Sequence, residues 1–360
     1  MLSVHTAFPQ TVTATVGVGN SPAAVAVNPV TSTIYVVNTA SDTVSVINGA
    51  TNSVTATVNT GSNPIALAVN PVSNMIYVAN NGSSNITVIN GATNTASTVT
   101  DPNAISPVAI ALNPLTNMVY VANSESNNLT VINGAENMLV GSIGVGNIPT
   151  AVVVNPATNL VYVANRGSNN VTVVNGANNR VGATVATGTS PASLALDTAT
   201  NTVYVANNGS NNVSVISGAS NTVTATVPTG TSPAAVTVNP VTDTVYVANN
   251  GSSNVTVING ANNTVTSTVT AGNSPVAVAA DPTTNQIYVV NNASNNVTVI
   301  NGATNATTTV ADSNAIAPVA VAVDPVTNMV YTANNGSANV TVIDADSSLV
   351  TTTLSTPTNP

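Results

Sequence analysis

Eight tyrosines constrain this chain more than any other feature. Tyr35, Tyr77, Tyr120, Tyr162, Tyr204, Tyr246, Tyr288 and Tyr331 stand 42 or 43 residues apart. Each lies in one phrase: IYVVN, IYVAN, VYVAN four times, IYVVN and VYTAN. Every phrase closes on an asparagine, namely Asn38, Asn80, Asn123, Asn165, Asn207, Asn249, Asn291 and Asn334. A fixed period of about 40–45 residues is the length that four short strands and their turns require. One such sheet has two apolar faces and cannot stand alone in water, so the copies must pack on one another.

The second copy shows the four strand signals. Residues 64–69 (PIALAV) form a short run of small apolar side chains, closed by an Asn70-Pro71 turn. Residues 75–80 (MIYVAN) are β-branched and aromatic, hence strand. Asn81-Gly82-Ser83 then predicts a turn that supplies positive φ, and NITVI at 85–89 predicts the third strand. Asn90-Gly91 marks another hairpin, and TASTV at 95–99 the fourth strand. No window carries a 3.6-residue period, so no substantial helix is expected. The expectation is a single all-β domain over 1–360, an eight-bladed β-propeller of four antiparallel strands per blade. A seven-bladed ring with one displaced unit is the alternative.

The phrase YVxN, followed by an Asn/Gly/Ser turn and VTVINGA, resembles the YVTN β-propeller repeat of surface-layer-type proteins from archaea and bacteria. The resemblance spans about residues 11–354 and recurs eight times. It implies the propeller fold and a place at the cell surface. The fifth unit departs from it with Asp197-Thr198 where most units have Asn-Pro.

Composition narrows the function. Of 360 residues, only 2 are Lys or Arg (Arg166 and Arg180) against 11 acidic ones, giving a net charge of −9. Nucleic-acid binding and attraction to anionic membranes both depend on basic side chains, so neither is expected. With no Cys, disulfides and thiolate metal sites are impossible, and no cofactor is expected. No apolar stretch approaches membrane-spanning length, so membrane insertion is not expected either. The missing charge is replaced by 58 Asn and 56 Thr, a neutral polar surface of the kind found on secreted and cell-surface proteins. No basic segment followed by an apolar one opens the sequence as a signal peptide would.

Strand counting exposes a surplus. First, second and third strands occur eight times, but fourth-strand signals occur nine times. Two terminal segments compete for one place: Thr11, Val12, Thr13, Ala14, Thr15 and Val16 at one end, and Leu349, Val350, Thr351, Thr352, Thr353 and Leu354 at the other. The repeats proper run over 17–354 and 355–360 form a tail. Residues 11–16 or 349–354 are expected to latch the last blade, and the surplus strand is expected to fray, to add a fifth strand to its own ring, or to pair with a neighbouring molecule, which would build a filament.

Candidate chemistry is sparse. His5 is the single histidine, so nucleophile–base arrangements cannot be assembled in the usual way. Glu125 and Glu136 lie in turns of one unit and raise the idea of a glycosidase carboxylate pair, although solvated turn residues are the simpler reading. Asp197, Asp281 and Asp324 replace the Asn of the Asn-Pro turn and read as caps. Asp344 and Asp346 share one turn but fall well short of a calcium shell. The tyrosines are expected to pack between blades rather than to bind sugars.

Asn-x-Ser/Thr triplets supply candidate N-glycan acceptors at Asn85, Asn128, Asn170, Asn212, Asn254, Asn296 and Asn339. The sequence therefore predicts no catalytic or metal residues. It predicts an extracellular or cell-envelope structural glycoprotein that self-associates as a homopolymer, with adhesion to glycans or other cell-surface components as the second reading and a propeller hydrolase or lyase as the third.

Overall fold

The computed structural model describes residues 10–345. It contains eight four-stranded sheets, all antiparallel. The first blade is built from Pro22–Asn28, Thr33–Asn38, Thr43–Asn48 and Ser53–Asn59, hydrogen-bonded in sequence order. Six more blades repeat that order. The eighth takes its inner three strands from Pro318–Asp324, Met329–Asn334 and Asn339–Asp344, and its outer strand from Thr11–Gly17. Inner strands touch inner strands all the way round, including Pro22–Asn28 against Pro318–Asp324, so the ring is closed and eight-bladed. The only helix among the described residues is one 3-10 turn at Thr39–Ser41.

The core lies between blades, because the pleat sends alternate side chains to opposite faces. In the first blade Ile34 and Val36 pack with Tyr331, Ala333 and Val340 of the eighth. Tyr35 and Val37 pack on the other side with Ile76, Val78 and Ile89 of the second. All eight tyrosine side chains are buried in this manner.

Two features of the repeat have local causes. First, among the described residues 31 turn positions other than glycine adopt left-handed φ, and 18 of them are asparagines. Asn tolerates that conformation because its short amide bonds nearby backbone, so much of the Asn content is turn chemistry. The positive φ expected within the Asn81-Gly82-Ser83 turn falls one residue later, on Ser84 at φ 51°.

Second, the glycine of the Asn-Gly turns is there for space. A Cβ on Gly91, Gly134 or Gly176 would lie 2.7 Å from the hydroxyl of Tyr35, Tyr77 or Tyr120, each reaching over from the preceding blade. Tyr77 uses that approach to donate a hydrogen bond to Asn137 Oδ1 at 3.1 Å. Tyrosine phrase and glycine turn are therefore one contact made from two blades.

The phrase-ending asparagine does separate work. Asn80 Nδ2 donates to Asn85 Oδ1 and to Thr87 Oγ1, both at 2.8 Å, and ties the second strand to the third beneath the turn that joins them.

Candidate functional site

The sequence placed its functional interest at the two ends of the chain. The structure seats the first of them: Thr11–Gly17 runs antiparallel to Asn339–Asp344, with Val16 opposite Val340 and Thr15 opposite Thr341. Val16 is buried in the seam between the eighth and first blades. Residues 11–16 therefore act as an intramolecular latch. Leu349 to Leu354 lie outside the described residues, as do His5 and Asp346.

The latch carries a clamp that sequence reading missed. Asp312 Oδ2 accepts hydrogen bonds from Thr15 Oγ1 at 2.8 Å and from Thr341 Oγ1 at 2.7 Å. Its Oδ1 accepts the Asn314 backbone N–H at 2.9 Å. Burial raises the carboxyl's pKa, but the hydrogen bonds from Asn314, Thr341 and Thr15 outweigh it and hold the group below its ordinary range. Asp101 repeats the arrangement in the third blade, with Thr130 and Ser142 both at 2.7 Å. Elsewhere a glycine loop occupies this place. Gly61 N–H, for example, donates to Thr87 Oγ1 at 3.2 Å. The two aspartates stand 19 residues before Tyr120 and Tyr331, in the two units whose spacing is 43 rather than 42. That extra residue was the available signal.

The rim of the disc is the second candidate surface. Among the described residues each blade ends on an outer strand with one unpaired edge. These strands are threonine- and valine-rich, and Arg180 is the one charged residue on all eight. Met138, Val140, Val181 and Val265 are exposed along them.

The remaining candidates separate. Glu125 lies in the turn between the second and third strands of its blade, and Glu136 in the turn between the third and fourth. The six-residue strand Asn128–Asn133 stands between them, which at about 3.3 Å per residue puts them on opposite faces of the disc. Glycosidase carboxylates must lie within about 10 Å of each other, so this pair cannot act together. Tyrosine ring faces are buried and offer no sugar platform. Among the described residues no cluster of three or more His, Cys, Asp or Glu could hold a metal.

The seven candidate glycan asparagines open the third strands of blades two to eight. The Oδ1 of each accepts the amide of its phrase-ending asparagine at 2.8–2.9 Å. In Asn128, Asn212 and Asn339 the Nδ2 atom itself donates to a backbone carbonyl, so a glycan there requires that bond to break. Inside the ring, apolar residues including Val152, Val154, Leu194 and Val236 line a cavity of about 480 Å³. No helix of the described residues is long and apolar enough to cross a membrane.

These features define the class, an eight-bladed β-propeller closed by its N-terminal strand. The chain belongs to the YNCE-like beta-propeller family, whose model matches residues 6–194. Among solved structures it is similar to Kuenenia stuttgartiensis hydrazine synthase, with 19% identity, a TM-score of 0.64, and coverage of 96% of this chain and 99% of that one. At that identity the likeness is one of fold. No curated protein matches the sequence.

Proposed function

We propose that this protein is a structural subunit of the cell envelope or extracellular space whose discs associate with one another, and that it carries no catalytic site. The observation that supports this most directly is the rim. Sheet edges in soluble proteins are ordinarily guarded by lysines, prolines or inward charges that prevent strand addition. Here the eight outer strands carry a single charged residue, Arg180, and the chain contains no lysine at all. The near absence of charge on these outer strands also weakens repulsion where two rims would meet. The resemblance to the YVTN repeat of surface-layer-type proteins supports the location, as does the Asn/Thr-rich composition.

Two modes of joining follow: edge-to-edge pairing at the rim, or exchange of a terminal strand, with Thr11–Gly17 or residues 349–354 filling the last blade of a neighbour. Sedimentation velocity across a concentration series tests the reading and separates the modes. The wild-type chain should sediment as growing oligomers. Lysines placed at exposed rim positions such as Thr57 and Thr226 should abolish them if the edges pair. A disulfide between Val16→Cys and Val340→Cys, which face each other, should abolish them if the latch strand is exchanged. A wild-type chain that stays monomeric at every concentration would overturn the proposal.

A further inference from the structure

On one face of the disc each blade is fastened to the next by a single side-chain contact. The last residue of an inner strand meets the left-handed residue of the following blade's first hairpin. Asn28 Nδ2 donates to Asn74 Oδ1 at 2.8 Å, Asn70 to Asn117 at 2.7 Å and Asn113 to Asn159 at 2.8 Å. Asn155 donates to Asn201 at 2.7 Å and Asn239 to Asn285 at 2.8 Å. Where the ring closes, Ser32 Oγ donates to Asp324 Oδ2 at 3.1 Å. Asp281 has Asn328 in the corresponding position, again an acid against an amide.

The junction between blades five and six breaks the pattern. There Asp197 meets Asp243, two acceptors with no donor between them. Asp197 is wholly buried. Its Oδ1 takes the Ala199 N–H at 2.8 Å, while its Oδ2 has no donor. Asp243 Oδ1 is likewise buried without a donor. Asp243 is held in place, since its carbonyl accepts the Gly260 N–H at 2.7 Å and a Cβ on Gly260 would collide with its carboxylate. No Lys, Arg or His stands on the segments that pack here, 191–204, 233–246 and 255–264. Two ionised carboxylates in such a place would be unpaired and mutually repelling, a situation that proteins relieve by retaining a proton.

We propose that Asp197 and Asp243 share one proton, which makes this one junction of the ring a proton-binding site, fastened in acid and strained apart as the medium becomes alkaline. The electrostatics agree. Burial first, then the charge of Asp197 and the hydrogen bond with it, raise the Asp243 pKa above its ordinary value. The other titratable group facing the pair is Tyr204. Burial and then the charges of Asp243 and Asp197 push its hydroxyl up to about 12, so it stays neutral throughout the relevant range. The sign is that of a raised carboxyl. Stabilisation is complete below the unfolded value near 4 and is lost as pH rises through the folded value.

The test compares thermal midpoints of the wild type, Asp243→Asn and Asp197→Asn between pH 4 and pH 8. Each substitution sets an amide against the remaining carboxylate, as Asn328 stands against Asp281 two junctions on, and Asn accepts left-handed φ, so both variants keep the fold. Near pH 4 the three proteins should melt together. At pH 8 each variant should melt about 1–2 °C higher than the wild type, a shift scaled to a chain of this length. Carboxyl carbon NMR of the wild type should show a step above the ordinary aspartate range that Asp243→Asn removes. Parallel pH profiles for all three proteins, with no such step, would overturn the proposal. So would a wild-type midpoint at fixed pH that rises with calcium and falls with chelator while Asp243→Asn ignores both, since the pair would then hold a cation.

Discussion

Replacing Asp312 by Ala should loosen the closing strand alone. Two of the bonds that the carboxylate accepts come from Thr15, on the latch, and Thr341, on the strand beside it. Hydrogen bonds to a charged group contribute about 1.5–3 kcal/mol each when buried. Solvent reaches the Thr15 end, so a total near 2–4 kcal/mol is reasonable after screening. That free energy corresponds to a roughly 30- to 1,000-fold increase in local opening. Asp101 makes the matching bonds to Thr130 and Ser142, but there the outer strand Met138–Gly144 is joined by chain at both ends. Among the described residues the chain joins the latch to the ring through residues 18–21, so it can peel away.

Hydrogen exchange read by mass spectrometry should show Thr11–Gly17 exchanging faster by that factor in Asp312→Ala, while Met138–Gly144 in Asp101→Ala still exchanges with the whole blade. Acid should mimic the first substitution. Asp312 titrates below its ordinary value, so its contribution is full above about pH 4 and disappears as pH falls through the lowered value. The Asp312→Ala chain should show no such step. Equal latch protection in wild type and Asp312→Ala would refute the reasoning.

Three further substitutions test the packing between blades. Gly134→Ala places a Cβ 2.6 Å from Asn117 O and 2.7 Å from the Tyr77 hydroxyl, and should cost about 1–3 kcal/mol in urea denaturation. Tyr77→Phe removes the bond to Asn137 and should cost about 1 kcal/mol, whereas Tyr35→Phe, whose hydroxyl is buried without a partner, should be neutral or stabilising in the same assay. Ile148 holds a left-handed φ of 52° where equivalent loops have Ser, Asn or Ala. Ile148→Asn should therefore stabilise by about 1 kcal/mol, read as a higher thermal midpoint.

The fold was legible because the tyrosine period fixes both unit length and copy number, and because alternation within IYVVN separates the two packing faces correctly. The ring of small inner-strand residues was legible for the same reason. Turn chemistry was read less well. Asn-Gly looks like a positive-φ signal, yet the left-handed residue lies elsewhere in the turn and the glycine answers a tyrosine some 57 residues away in sequence. No local reading could reveal that partner. Asp101 and Asp312 were visible but unplaced, since their significance depends on a loop crossing onto the next blade. Asp197 read as a cap, which it is, but its acid partner comes from the adjacent blade. Function was less legible still, because nearly identical blades carry packing information and little else.

Electron microscopy of the purified full-length chain in negative stain tests the proposed role most directly. Discs joined through their rims or strung into filaments at micromolar concentration, and dispersed by lysines at Thr57 and Thr226, are the predicted result. Uniform isolated rings under the same conditions would contradict it.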